Sequence, residues 1–232
     1  MPPLTSINGP IRRREFLSLL AGVSIPDLMR EHGIPTASIA WIRAGVVDGN
    51  FTLDEDVNGT LVSWQVPDNE FTLREKVTLR RLLSHTAGLT VHGFPGYAAG
   101  SAVPSLRQVL DGEKPANTAP IRVDMVPGTK MRYSGGGYAV MQQLLVDRAE
   151  KRFPALMEMM VLKPLRMTRS TFEQPLPAGL AGGAAVAHDQ KGKAVAGRWH
   201  THPEMAAVCL WTTPAEIWRA SRGEGRAVLQ EY

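Results

Sequence analysis

The chain has 232 residues, enough for one large domain or two small ones, and 44% apolar content predicts a packed core rather than disorder. The net charge of +4 favours anionic partners, but the arginines are scattered apart from Arg12-Arg13-Arg14, and no basic stripe with interleaved aromatics points to nucleic acid. The single Cys209 excludes an intramolecular disulfide and any multi-cysteine metal site; its neighbours Ala206, Ala207, Val208 and Leu210 predict a buried, inert thiol.

Arg13-Arg14-Glu15-Phe16-Leu17 resembles a twin-arginine export signal, with residues 16–25 as its apolar region. No Ala-x-Ala cleavage site follows. Residues 26–31 instead read as a helix start, with Pro26 suited to the first turn. A basic amphipathic N-terminal helix is therefore the other reading of residues 1–30. No run reaches the roughly 18 apolar residues of a membrane span. Residues 36–42, TASIAWI, mix small, β-branched and aromatic side chains and predict a buried strand that Ala44-Gly45 ends. Thr78 can cap a short helix through Leu79, Leu82 and Leu83, with Gly88 ending it. His85 follows Ser84, but adjacent residues on a helix point apart. A lone histidine also lacks the orienting partner of a catalytic base, so His85 is read as structural.

Residues 91–120 are rich in Gly, Pro, Ala and Ser, with one helical piece at 104–110. They predict a long loop over the core, and such loops often border sites. His92, Phe94 and Tyr97 are its candidate ligand contacts, and nothing singles one out. The stretch 127–146, PGTKMRYSGGGYAVMQQLLV, starts with a Pro-Gly turn, passes a short extended piece and reaches a glycine run. From Tyr138 onward, Tyr138, Met141, Leu144 and Leu145 form one apolar helix face. Tyr133 thus sits at the mouth of a glycine loop that opens a buried helix. Either it packs there, or it does chemistry from a loop held by a rigid element. Residues 153–162 predict a second helix stopped by Lys163-Pro164, and 174–183 a turn-rich connector. His200-x-His202 with Glu204 has the spacing of a zinc pattern on a strand, but further ligands are not evident and no metal site is read. Thr213-Pro214-Ala215-Glu216 has the form of a capping box and opens a helix with Ile217 and Trp218 on its apolar side.

The tyrosine stretch resembles the tyrosine-loop region of the serine beta-lactamase-related family, which includes class C beta-lactamases, DD-peptidases and related esterases. Residues 32–45 (HGIPTASIAWIRAG), 64–71 (WQVPDNEF), 77–89 (VTLRRLLSHTAGL), 161–172 (VLKPLRMTRSTF) and 206–217 (AAVCLWTTPAEI) resemble the same family in the same order. The resemblance implies an α+β fold, beta-lactamase/transpeptidase-like and reduced. The helical half, roughly 51–172, is nearly whole and the antiparallel sheet is incomplete. Residues 31–232 would form this incomplete domain. In intact relatives a serine attacks a carbonyl, lysine and tyrosine move the protons, and backbone N–H groups hold the oxyanion.

Of these groups only the tyrosine is matched, by Tyr133, which is the one catalytic-type residue carried over. The family's loop commonly reads Tyr-x-Asn; here Tyr133-Ser134-Gly135 puts glycine third. The helix with Ser-x-x-Lys belongs between strand 36–42 and residues 51–57, but Val46-Val47-Asp48-Gly49 follows at once, so that section reads as cut out. None of Ser6, Ser18, Ser24, Ser38, Ser63, Ser84, Ser101, Ser105, Ser134, Ser170 or Ser221 has a lysine three places later. No Lys-Thr-Gly or His-x-Gly strand follows Trp218, so the chain also reads as truncated. The implied function is hydrolysis of a beta-lactam, peptide or ester through an acyl-enzyme, with activity lost or very weak here. The alternative is a non-catalytic binding module, or a truncated product, using the remnant cleft. A small-molecule ester, beta-lactam or peptide is the implied ligand, and no cofactor is implied. Without the lysine, Tyr133 is expected to be a neutral phenol that packs and donates a hydrogen bond. A working signal would send the chain to the periplasm or beyond; otherwise it would be cytoplasmic.

Overall fold

The computed structural model describes residues 51–222. The twin-arginine stretch, the expected strand 36–42 and its junction with residue 51 lie outside the described residues. By internal packing the chain divides into Met1–Thr36 and Ala37–Tyr232, and every described residue belongs to the second unit.

A 3-10 turn, Val57–Gly59, comes first. Then follow α1 (Leu79–Leu83), α2 (Leu106–Asp111), α3 (Gly135–Ala149), α4 (Phe153–Met157) with a π turn Glu158–Leu162, α5 (Ala178–Ala181), α6 (Met205–Val208) and α7 (Pro214–Arg222). Their starts follow from side-chain caps. Thr78 accepts from the Arg81 amide to start α1. Ser105 and Gln108 cap each other's backbone to start α2, and left-handed Gly112 ends it. α1 stops earlier than expected: Ser84 is its C-cap and His85 turns into the left-handed region at φ 54°, so Gly88 is not the terminator. Gly88, at φ 70°, instead precedes the bridge between Leu89 and Val123.

α3 is the hub, and α1, α2, α4 and α6 pack around it. The apolar stripe predicted one buried face, yet every residue from Gly135 to Leu145 is buried. A helix enclosed on all sides must satisfy its polar side chains internally. Gln142 does so by donating from Nε2 to Pro203 O (2.9 Å) and accepting at Oε1 from Ala206 N (2.9 Å). Gln143 donates to Ser63 Oγ at 2.7 Å and Asp147 Oδ1 at 2.9 Å. The glycine run was expected to be a loop; it is instead the first turn of α3, capped by Ser134.

α4 and its π turn fill the predicted span 153–162, and Phe153 meets Phe172 edge-on at 5.4 Å. In α7 the Glu216 amide donates to Thr213 Oγ1 at 3.3 Å. The expected apolar side is corrected: Trp218 is 55% exposed, whereas Glu216 is the buried residue. Its carboxylate accepts from the Arg169 amide (3.0 Å) and from Ser170 Oγ (2.5 Å). Among the described residues antiparallel pairing is limited to isolated bridges, such as Tyr97 with Thr201 and Thr171 with Trp211. No described helix is long and apolar enough to cross a membrane.

Candidate functional site

Tyr133 ends the extended lead-in to α3 and is 39% exposed. Its ring lies on the His85 ring, with centroids 4.6 Å apart and planes tilted by 40°. His85 also grips the backbone on both sides of the tyrosine. Its carbonyl accepts from the Arg132 amide at 2.8 Å, and its Nδ1 accepts from the Ser134 amide at 3.3 Å. A backbone N–H can only donate, so Nδ1 carries a lone pair and the ring is the neutral Nε2–H tautomer. His85 is therefore structural, as its sequence context suggested, and the thing it structures is Tyr133. No spacing signal marks this, because 49 residues separate His85 from Ser134.

Behind His85 lies Tyr138, 5.2 Å from it between ring centroids. The Tyr138 hydroxyl is buried without a hydrogen-bond partner among the described residues. Burial, reinforced by Tyr133, pushes that phenol well above the usual tyrosine range, so it stays protonated. No hydrogen bond from the Tyr133 hydroxyl is formed among the described residues. Arg132, beside it, is engaged elsewhere: Nη2 donates to the carbonyls of Gly88 and Leu89 and pairs with Asp124.

The N-terminus of α3 is closed. Gly135 N donates to His92 O at 3.1 Å, Gly136 N to Val91 O at 3.0 Å, and Gly137 N to Ser134 Oγ at 3.0 Å. Free amides at a helix start can hold an anion, but these three already have protein partners. The glycines permit this closure, because residues 90–92 lie directly against the first turn. A Cβ on Gly136 would sit 2.6 Å from Thr90 O, and one on Gly135 would sit 2.9 Å from His92 O. The latter explains the missing asparagine of the Tyr-x-Asn pattern: the third position has no room for a side chain.

Of the loop candidates, Phe94 borders Gly135, with Cε2 3.3 Å from where its Cβ would be. His92 contributes its carbonyl. Tyr97 is core: it is buried, and its hydroxyl accepts from Asn117 N at 3.1 Å. The zinc-like spacing does not assemble a ligand set. His200 Nδ1 faces Pro95 O at 2.9 Å, and no group of three His, Cys, Asp or Glu among the described residues can hold a metal. Cys209 is buried as expected, and burial pushes its thiol upward. An open cleft of about 460 Å³ runs between Phe51, Val57 and the Leu144–Asp147 part of α3; neither Tyr133 nor His85 lines it.

Most serine hydroxyls among the described residues are engaged in local structure. Ser84 Oγ donates to Arg80 O, Ser105 and Ser134 cap helices, and Ser63 donates to Asp147. Ser170 Oγ lies between Glu216 and Thr212, at 2.5 Å and 2.6 Å.

A capped helix enclosed from Gly135 to Leu145, preceded by an extended tyrosine and backed by the α1 histidine turn, is the arrangement to compare with known folds. The Beta-lactamase family profile matches residues 37–231, and the chain belongs to that family. No curated protein matches it in sequence. Among solved structures it is similar to a beta-lactamase/D-alanine carboxypeptidase from Yersinia pestis, with a TM-score of 0.58 at 21% identity, covering 85% of this chain and 51% of that one. It is also similar to EstCE1, a hydrolase with promiscuous acyltransferase activity, with a TM-score of 0.58 at 18% identity and coverage of 80% and 56%. A D-stereospecific amidohydrolase from Streptomyces gives 0.58 at 17% identity, with coverage of 84% and 60%. At these identities the likeness shows the fold. The chain spans about half the length of these relatives.

Proposed function

We propose that this chain is a non-acylating member of the family, which keeps the tyrosine segment of the hydrolase frame without a serine–lysine pair to form an acyl-enzyme. The observation that carries this reading is in the sequence: no serine has a lysine three residues on. An unassisted hydroxyl is a weak nucleophile at neutral pH, and most described serine hydroxyls are held in caps and clamps. What remains for the exposed face of Tyr133 is non-covalent binding of a small ester, beta-lactam or peptide, the substrate classes of the relatives. Incubation with a fluorophosphonate probe and with a chromogenic cephalosporin should leave the intact mass unchanged. A stoichiometric adduct mapped to one serine overturns the proposal.

One observation favours a second reading, a hydrolase with a substitute nucleophile. Ser170 Oγ lies 2.5 Å from the buried Glu216 carboxylate, which is base-to-hydroxyl distance. An adduct on Ser170 that disappears in Glu216→Gln would select it. Export is a separate proposal resting on Arg13-Arg14. Fusing the first thirty or so residues to a reporter active only outside the cytoplasm tests it. An unchanged signal after Arg13→Lys with Arg14→Lys argues against it.

A further inference from the structure

Glu204 is fully buried, 0% exposed, at the N-terminus of α6. Neither carboxylate oxygen has a hydrogen-bond partner among the described residues, and neither does His202 Nδ1, which lies 3.9 Å from Glu204 Oε2. That separation is too long for a charge-assisted hydrogen bond, so an ion pair here would lack the contact that offsets desolvation. Both groups sit in a tightly held segment. The Gln142 amide of α3 clamps Pro203 O and Ala206 N on either side of Glu204. The His202 ring packs on Gly96, where a Cβ would come within 2.4 Å of Cε1. Tyr97 and Thr201 exchange two backbone hydrogen bonds of 2.8 Å. The 200–206 segment thus carries residues 95–97, the continuation of the strip that closes the first turn of α3.

The neighbouring titratable groups are His200, whose charge would oppose one on His202, and Tyr97 and Cys209, which feel a charge on Glu204. Tyr97 and Cys209 are both held in their neutral forms, and α3 offers only the neutral Gln142 amide. Among the described residues, therefore, no fixed cation is on hand to stabilise a bare carboxylate, and no further anion to stabilise a bare imidazolium. The only state of the pair that buries no charge has one proton, placed on the carboxyl beside a neutral imidazole.

We propose that His202 and Glu204 are a one-proton pair: folding transfers the imidazole's proton to the carboxyl, the fully buried Glu204 and the mostly enclosed His202 are both held neutral, and attachment of this segment is thereby insulated from pH. In the unfolded chain near pH 6 the imidazole holds the proton and the carboxyl is ionised. In the folded protein the Glu204 carboxyl holds it. One proton is bound in each state, so folding neither takes up nor releases one.

Each partner alone would be sensitive. Burial raises Glu204 to about 7, so its contribution to stability is complete below its unfolded value and is lost as pH rises toward 7. Burial lowers His202, helped by His200, so its contribution is complete above its unfolded value and is lost as pH falls through the lower folded one. Over the shared window the two slopes cancel.

The test uses the full chain. Infrared spectra near pH 6 should show a protonated-carboxyl band that disappears in Glu204→Gln, and histidine ring nitrogen shifts should show His202 neutral. Urea melts from about pH 4.5 to about pH 8 then compare the variants with wild type. Relative to wild type, the folding constant of Glu204→Gln should rise with pH by roughly a hundredfold between about 4.5 and 7. That of His202→Gln should rise in the opposite direction, as pH falls below about 6.5. An ionised Glu204 beside an imidazolium at pH 6 overturns the proposal, as do two variants with the same slope or none. Should a variant fail to fold, the wild-type spectra still decide.

Discussion

Adjacent glycines in the first turn of α3 should respond to alanine with opposite signs. Gly137 faces open packing: a Cβ there would meet Leu82 and Leu89 methyls at 3.7 Å, an ordinary contact. Gly137→Ala should therefore gain only what alanine gains over glycine in a helix, a stabilisation of about 0.5–1 kcal/mol. Gly136→Ala has the same propensity gain but puts a Cβ 2.6 Å from Thr90 O and 3.2 Å from two Ile121 carbons. Thr90 O is backbone and cannot rotate aside. The 90–92 strip must move, which strains the bonds from Gly136 N to Val91 O (3.0 Å) and from Ser134 Oγ to Thr90 O (2.8 Å). Overpacking costs about 1–3 kcal/mol and each weakened hydrogen bond about 1 kcal/mol. After the propensity gain, Gly136→Ala should destabilise by about 1–4 kcal/mol. Urea melts of both variants with unchanged m-values give the two numbers directly. Equal signs, or a stabilising Gly136→Ala, would refute the account of why this helix begins with glycines.

Gln142→Met keeps the shape of the side chain but leaves Pro203 O and Ala206 N buried without their partner; at about 1–3 kcal/mol each, a loss of about 2–6 kcal/mol is expected in the same melts. Tyr133→Phe should change stability by less than about 0.5 kcal/mol, because the residue is 39% exposed and its hydroxyl has no partner among the described residues to lose, and a thermal shift beyond that would show a further contact. Asp147 is partly buried, which opposes ionisation. Ser63 Oγ, the Val62 and Ser63 amides and Gln143 outweigh that and hold its carboxyl below the usual range. Its contribution is thus present above its unfolded value and lost as pH falls through the lower folded one. The gap between wild type and Asp147→Asn, measured by urea melts, should be about 1–3 kcal/mol at neutral pH and shrink below about pH 4.

The sequence made local features plain and distant ones invisible. Thr78 announced its helix because a cap and its helix are neighbours in the chain. The stretch around Tyr133 was legible as a lead-in to a buried helix, but its glycines read as a loop. Glycine is a poor helix former, and only the contact with residues 90–92 explains three in succession. His85 was read as structural, but what it holds was not legible, for a related reason: its partners lie on either side of Tyr133, far along the chain. Trp218 was misplaced because large apolar side chains are ordinarily buried. In α7 it is Glu216 that turns inward, to meet Ser170 and the Arg169 amide.

The enclosure of α3 has a consequence for how the protein is made. Gln142 waits for Pro203, 61 residues downstream. At roughly 5–20 residues per second, a ribosome leaves that side of the helix uncovered for about 3–12 s. Throughout that interval the stretch from Gly135 to Leu145 carries no charged side chain to keep it dispersed. Nascent chains should therefore be cut within 135–145 by a brief pulse of protease until α6 has emerged, and protected afterwards. Protection of shorter nascent chains would mean that the helix finds cover without α6.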